Sequence, residues 1–166
     1  YHSLALKGSG ELWAWGNDGH GQLGNGATSS TDVTAPQQII GVTGEDSDWT
    51  AVSARYFHSL ALKGSGELWA WGSDYYGQVG NGAATGNVTS PEKITGVSGG
   101  DSDWTAVSAG YNHSLALNGT GELWAWGSDN YGKLGDGLSK YIVYPEKIGT
   151  DSNWTAVSGG GYHSLA

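Results

Sequence analysis

A histidine followed by a serine recurs in this chain, and such a pair could carry nucleophilic or metal chemistry. The motif His-Ser-Leu-Ala starts at His2, His58, His113 and His163. Neighbouring strand residues point to opposite faces, and no aspartate lies at an offset that suits a Ser-His-Asp triad. Equivalent histidines of successive repeats are spread apart, so they need not converge on one ion. We therefore predict structural histidines that hydrogen-bond a neighbouring loop.

Carboxylates recur with the same regularity. Residues 46–48 and 101–103 read Asp-Ser-Asp, and residues 151–153 read Asp-Ser-Asn. Alternating carboxylates could hold Ca²⁺, but the spacing matches neither the EF-hand nor the glycine-rich calcium repeat. Glu11, Glu67 and Glu122 occur once per repeat, too far apart for paired acid–base chemistry. We predict turn residues here, with no catalytic residue, no metal site and no cofactor.

The repeats differ most in two connections that we expect to share one edge of the fold. The residues there are tyrosine, asparagine, glycine and aspartate, which on presented loops offer rigid contact area and adaptable hydrogen bonds. Two interpretations stay open, because ordinary turn residues with tyrosines covering the edges would look the same. The candidate partner-binding residues are His20, Arg55, Tyr56, Phe57, Asp74, Tyr75, Tyr76, Tyr111, Asn112, Asn130 and Tyr131.

The composition limits the partners. The 166 residues include seven basic and sixteen acidic side chains, for a formal net charge of -9. A surface that follows phosphates needs clustered lysine and arginine, so we expect no nucleic-acid partner. No run of 18 apolar residues exists, so we expect no membrane insertion. Cysteine is absent, which excludes disulfides.

Long repeats position all of these residues. Trp-Ala-Trp-Gly starts at Trp13, Trp69 and Trp124, and Trp-Thr-Ala-Val-Ser starts at Trp49, Trp104 and Trp154. Short apolar runs separated by glycine turns indicate four strands per repeat and an all-β chain. In one repeat we expect strands at 49–53, 59–63, 67–71 and 92–97. The predicted units are 1–48, 49–103, 104–153 and an extra segment, 154–166.

The alternation within the strands favours one architecture. In Leu68-Trp69-Ala70-Trp71 one face is bulky and the other is small, and neither face needs water. A sheet with two dry faces must lie between neighbours. Four-stranded units of this length stacked face to face are typical of a β-propeller.

The string from His2, HSLALKGSGELWAWGNDGHGQLGNG, resembles the repeat of the regulator of chromosome condensation family. The resemblance implies a β-propeller, usually of seven blades. Three positions depart from the family pattern: Arg55 replaces a glycine, Val79 a leucine and Lys133 a glutamine. The resemblance implies a non-catalytic protein-interaction module, and a bacterial extracellular or cell-surface location. The alternatives are a purely structural segment of a longer array, or guanine-nucleotide exchange on a small GTPase, which no long insertion supports.

Three repeats are too few for a closed ring. Residues 1–5 and 162–166 are both Tyr-His-Ser-Leu-Ala, and the first repeat lacks the Trp-Thr-Ala-Val-Ser strand that 154–158 supplies at the other end. We therefore expect a homodimer in which two chains exchange strands and close a six-bladed ring. The alternative is a fragment of a longer array.

Overall fold

A computed structural model describes residues 1–42, 46–97 and 103–166. Within them every regular element is a β-strand, and no helix is present to cross a membrane. The strands are β1 His2–Leu6, β2 Leu12–Asp18, β3 Ser29–Gln38, β4 Trp49–Arg55, β5 His58–Lys63, β6 Leu68–Ser73, β7 Asn87–Lys93, β8 Trp104–Ala109, β9 His113–Asn118, β10 Leu123–Gly127, β11 Ile142–Lys147, β12 Ser158–Gly159 and β13 Ser164–Leu165.

The strands form successive antiparallel meanders. The order is β1-β2-β3 in the first sheet, β4-β5-β6-β7 in the second and β8-β9-β10-β11 in the third, followed by the pair β12-β13. The first sheet therefore lacks the strand that β4 and β8 supply in the others. Three propeller blades of the expected kind are confirmed, and each sheet lies inside one predicted unit.

The core lies between the sheets, as the dry faces predicted. Every residue of β5, β6 and β9 is buried. One apolar cluster joins the first sheet to the second around Leu12 and Trp71, and another joins the second to the third around Leu60 and Trp126. Each blade is thus held by its neighbours, since burying apolar surface between sheets is what stabilises them.

The outer strand of each blade differs from the sequence prediction. We expected 92–97, whereas β7 covers Asn87–Lys93. Ile94 and Val97 follow the strand and fill the core from irregular backbone, so their apolar character was mistaken for strand pattern. Pro91 lies within β7, which an edge strand tolerates because one row of its N–H groups has no ladder partner.

Candidate functional site

The connections β4–β5, β6–β7 and their counterparts lie at one end of the blades, which we call the loop end. Their aromatic side chains meet. His20 contacts Phe57 with ring centroids 4.8 Å apart, and Phe57 contacts Tyr111 at 5.7 Å. Both contacts cross from one blade to the next. The structure therefore gathers the loop residues of the three blades into one surface.

This surface is a continuous row of rings, which we call the aromatic row. Tyr56 and Tyr111 pack edge to face at 4.5 Å, Tyr111 reaches Tyr162 at 5.9 Å, and Tyr162 reaches Tyr131 at 5.6 Å. Edge-to-face contacts at such distances are favourable beyond the area that they bury. The members of the aromatic row are Tyr1, His20, Tyr56, Phe57, Tyr75, Tyr111, Tyr131 and Tyr162.

The row has a half-buried middle and exposed ends. His20, Tyr56, Phe57 and Tyr111 are half-buried, whereas Tyr131 is 82% exposed. The middle rings hold each other in fixed orientations, so the exposed tyrosines stand on a rigid base. A partner would therefore meet preordered aromatic surface, which costs little conformational entropy on binding.

Two tyrosines of the row adopt a left-handed backbone. Tyr56 has φ 49° and Tyr131 has φ 73°, and they are the positive-φ residues other than glycine among the described residues. An L side chain in this region costs of order 1 kcal/mol relative to glycine. Glycine occupies the position of Tyr56 in the last copy, Gly161, where φ is not positive. Both residues with this unfavourable backbone conformation thus belong to the aromatic row.

Two candidate residues prove structural. Asp74 is only 1% exposed, and its Oδ1 accepts the N–H of Val79 at 2.9 Å across the loop. Burial raises the pKa of this carboxyl to about 6. The guanidinium of Arg55 donates to the carbonyl of Gly159 at 2.9 Å and so ties β4 to the last segment. Asp74 is thus buried with one carboxylate oxygen bonded to the loop backbone, and a role of Asp74 or Arg55 in partner binding stays a prediction.

Other candidates lie outside the row. Asn112 is half-buried, and its carbonyl accepts the N–H of Ser128 at 2.8 Å. Asn130 is exposed beside Tyr131. Tyr76 packs against Tyr141 at 5.2 Å in a separate pair. Binding by any of these side chains stays a prediction.

Sequence reasoning left Tyr1, Tyr141 and Tyr162 out of the candidate set. Tyr1 and Tyr162 precede His-Ser-Leu-Ala as Phe57 does. Aligning these positions across all copies would have placed both in the row. Tyr141 has no such signal, because it lies in a connection whose length differs between the repeats.

The opposite end of the blades, the hairpin end, carries charge instead. Ion pairs join Lys7 to Glu11 at 3.2 Å and Lys63 to Asp48 at 2.9 Å. Asp46 accepts the backbone N–H groups of Gly41 and Val42, both at 3.2 Å. These carboxylates thus form hydrogen bonds with nearby backbone N–H groups or ion pairs with lysines.

No metal cluster is found at either end of the described part of the chain. In residues 1–42, 46–97 and 103–166, no three His, Cys, Asp or Glu side chains lie close enough to hold an ion. Asp101 and Ser102, two members of the predicted Asp-Ser-Asp turns, lie outside the described residues.

The recurring histidines join neighbouring blades. The Nε2 of His58 lies 3.0 Å from Ser114 Oγ, and Ser114 donates to the carbonyl of Gln78 at 2.7 Å. Because the serine proton is used, the histidine donates from Nε2. The same arrangement links His2 to Ser59 at 2.7 Å. The expectation of structural histidines is thus met by contacts to a serine of the next blade.

Burial keeps these histidines neutral. Burial, together with the nearby His113 and His2, lowers the pKa of His58 to about 3. Burial also lowers the pKa of His2 and of His113 to about 4. An imidazole held neutral by burial and bonded within the fold is a structural group.

One loop carries a mismatched pair of carboxyl groups. In the first blade the amide of Asn25 donates to Asp18 Oδ2 at 2.9 Å. In the third blade Asp136 takes the place of that asparagine beside Asp129, and each carboxyl keeps a buried oxygen without a hydrogen bond. Burial raises the pKa of Asp129, and the carboxyl of Asp136 raises it further.

Stacked four-stranded blades with this loop pattern define a β-propeller. The model of the "Regulator of chromosome condensation (RCC1) repeat" matches residues 9–62, 65–117 and 120–166, and a second model of the same description matches 49–78 and 104–133. The chain therefore belongs to the RCC1 repeat family, as its sequence indicated.

Curated relatives and solved structures agree with this family. The chain is 34% identical over 147 residues to the ultraviolet-B receptor UVR8 of Arabidopsis thaliana, covering 89% of this chain and 32% of that protein. It is 32% identical over 150 residues to the human E3 ubiquitin-protein ligase HERC2, covering 89% of this chain and 3% of that protein. The chain thus spans a third or less of these relatives.

Among solved structures, human WBSCR16 superposes with a TM-score of 0.82 at 26% identity, over 96% of this chain and 40% of that chain. Prp20p of Saccharomyces cerevisiae superposes with a TM-score of 0.83 at 24% identity and the same coverage.

Proposed function

We propose that this chain is a non-catalytic protein-interaction module whose partner binds the aromatic row. The observation that carries this proposal is the continuity of the row across consecutive blades at one end. Surfaces that bind proteins are enriched in tyrosine and depleted in charge at their centre. The ion pairs found among the described residues lie at the hairpin end, so the two ends differ in the way that a binding face and a solvated face differ.

Proteins of the same fold support a protein partner. The structure of Prp20p was described together with its binding to Gsp1p and histones, and yeast RCC1 (Prp20) was crystallised with Kap60. The partners of those proteins are not transferred to this chain. We propose for this chain only the general class of function, which is the binding of other proteins by a propeller.

The left-handed backbone at Tyr56 and Tyr131 adds to the argument. Each residue adopts a conformation that glycine would adopt at lower cost. Tyr131 in particular is 82% exposed, so its side chain gains little from burial in the chain itself. A contribution to partner binding accounts for a tyrosine at such a position.

The experiment is a quantitative capture of partners by the wild type and by a double variant, Tyr75→Ser with Tyr131→Ser, followed by titration of each recovered protein. Loss of hot-spot aromatics costs about 2 kcal/mol or more, so affinity should fall at least about tenfold. The control is Tyr144→Ser, since Tyr144 is exposed about as much as Tyr75 and lies on the outer strand β11, outside the aromatic row. Equal affinity of all three proteins would contradict the aromatic row as the binding surface, and recovery of no partner at all would favour the purely structural alternative.

We also propose that the polypeptide of residues 1–166 associates head to tail into a twofold pair. The first sheet presents β1 without an inner neighbour, whereas β4 and β8 occupy that place in the other sheets. Residues 154–158 repeat the sequence of those inner strands. Exchange of this segment between two copies would give each first blade a fourth strand. Sedimentation of the purified polypeptide should give twice the mass of 17.2 kDa, and a monomer at all concentrations would contradict the pair.

A further inference from the structure

The outer strands of the second and third blades contact the preceding blade in the same way. The N–H of Gly26 donates to the carbonyl of Thr89 in β7 at 2.9 Å. The N–H of Gly82 likewise donates to the carbonyl of Val143 in β11 at 2.9 Å. The two glycines share a left-handed backbone, with φ 87° and 89°. The two junctions between blades can therefore be compared residue by residue.

One residue of the outer strand differs between these junctions. The residue before the proline of the strand is Tyr144 in β11 but Ser90 in β7. A Cβ atom at Gly82 would overlap the hydroxyl oxygen of Tyr144, so the end of this tyrosine ring lies directly on the glycine. A Cβ atom at Gly26 would meet only Ser90 Oγ among the described residues, at 3.7 Å. The place of a tyrosine ring at one junction is thus taken by a serine at the other.

The junction with the serine contains a pocket, which we call the junction pocket. It has a volume of about 340 Å³ and lies between the first and second blades. This volume falls within the range of small-molecule sites, about 300–1,000 Å³. Its lining includes Gly26, Ile40, Val42, Ser90 and Pro91.

The lining of the junction pocket suits an uncharged ring with one polar group. The lining residues in the described part of the chain include no charged side chain. Ile40 is 69% exposed, so a bound ring would cover apolar surface that water now contacts. Pro91 adds a second apolar group, and Ser90 adds a hydroxyl that can donate or accept a hydrogen bond. A tyrosine side chain has this combination of an apolar ring and a hydroxyl.

Hydrogen bonds hold both walls of the junction pocket in place. On one wall the carboxylate of Asp46 accepts the N–H groups of Gly41 and Val42, both at 3.2 Å. On the other wall the amide of Asn25 donates to Asp18 Oδ2 at 2.9 Å. A ligand would therefore enter a preformed site, which lowers the entropic cost of binding.

We propose that the junction pocket binds the phenol ring of a tyrosine side chain from a protein partner. The bound ring lies on Gly26 as the ring of Tyr144 lies on Gly82, and it covers Ile40. Tyr144 reaches its glycine from an extended strand, so a tyrosine carried by a polypeptide is the ligand that this chain itself exemplifies. The site is separate from the aromatic row, and the two proposals are tested independently.

The test is a titration of the isotope-labelled protein with N-acetyl-tyrosinamide, followed by NMR at the backbone amides of Gly24, Gly26 and Gly41, which line the pocket. N-acetyl-alaninamide, which has the same backbone but no ring, is the control ligand. A third ligand, 4-methylphenol, is the ring without a backbone. We expect saturable shifts at these three glycines with N-acetyl-tyrosinamide and none with N-acetyl-alaninamide.

Two variants exchange the residues of the two junctions. Ser90→Tyr fills the junction pocket from within, and we expect it to weaken binding at least about tenfold. Its control is Ser30→Tyr, because Ser30 is an exposed serine of the outer strand β3 that does not line the pocket; it should change the affinity less than about threefold. Tyr144→Ser should open a second pocket, with ligand-induced shifts at Gly82 that the wild type does not show.

Amide spectra that are unchanged away from the substituted residue establish that each variant folds. Equal binding by Ser90→Tyr and Ser30→Tyr would overturn the proposal, as would a wild type without shifts at the three glycines. If Ser90→Tyr does not fold, Tyr144→Ser decides alone, and no new shifts at Gly82 would count against the proposal. Equal shifts with N-acetyl-alaninamide would overturn recognition of a ring. Binding of 4-methylphenol without N-acetyl-tyrosinamide would overturn a ligand carried by a polypeptide.

Discussion

The buried histidines make the stability of the fold depend on pH. His58 is completely buried, and its pKa is lowered to about 3 in the folded state, against about 6.5 in an unfolded chain. A lowered pKa means that the unfolded chain binds the proton first. The stability that His58 contributes is therefore complete above about pH 6.5 and is lost as the pH falls below it.

The magnitude follows from the difference between the two pKa values. From pH 7.5 to pH 5.0, one such histidine costs about 2 kcal/mol of unfolding free energy. His2 and His113 act in the same direction, since burial lowers both pKa values. Asp74 acts in the opposite direction, because its raised pKa, about 6, makes the folded state take up a proton on acidification; this recovers about 1 kcal/mol. The histidines outweigh it, so we expect marked acid lability.

The assay is urea unfolding followed by tryptophan fluorescence at several pH values and one protein concentration. His58→Gln keeps a hydrogen-bond donor but does not titrate, so its loss of stability between pH 7.5 and 5.0 should be about 2 kcal/mol smaller than that of the wild type. The control Ser114→Ala removes the acceptor of the same hydrogen bond and should keep the pH dependence of the wild type. An unchanged pH dependence in His58→Gln would refute the reasoning.

Other substitutions test the loops and the blade contacts. Asp136→Asn should stabilise the fold by about 1 kcal/mol at pH 7, because an amide can donate to the buried carboxyl of Asp129. Thermal unfolding measures this, and an unchanged stability would contradict the view that the Asp129 and Asp136 carboxyl groups destabilise each other. Tyr56→Gly should lose ring contacts but remove the cost of the left-handed backbone, so the free energy of unfolding should change by less than about 1 kcal/mol. A larger loss of stability would show that the ring of Tyr56 mainly stabilises the fold. Trp126→Phe should lower the free energy of unfolding in urea by about 2–4 kcal/mol, since it leaves a cavity and removes one of the two hydrogen bonds to the buried carbonyl of Gln78; a neutral effect would contradict a stabilising contact of this indole with the neighbouring blade.

Repetition made most of the fold predictable. Inner, second and third strands repeat nearly unchanged, and their alternation requires neighbours on both faces. The outer strand was misplaced because Ile94 and Val97 look like strand residues but reach the core from irregular backbone after β7. Periodicity alone cannot separate an apolar residue in a strand from one that follows it.

The sequence predicted that the variable loops share one end of the blades, whereas partner binding by their side chains stays a prediction. The antiparallel order of the strands placed the variable loops at one end, where the structure brings Phe57 and Tyr111 together. The burial of Asp74 could not be predicted, because a loop aspartate that caps backbone N–H groups and one that faces solvent have the same sequence. The hydrogen bonds of Trp71 and Trp126 to carbonyls of the preceding blade were missed because they depend on the distance between residues of neighbouring blades. A protein partner and a bacterial extracellular location stay predictions.

The central claim is that the loop end, and not the hairpin end, binds a protein partner. Hydrogen exchange of the chain with and without its captured partner tests this directly. We predict slower exchange at residues 55–57, 110–112 and 130–131 in the complex, with hairpin residues 64–66 and 119–121 unchanged. Protection at the hairpins with no change in the aromatic row would contradict the account.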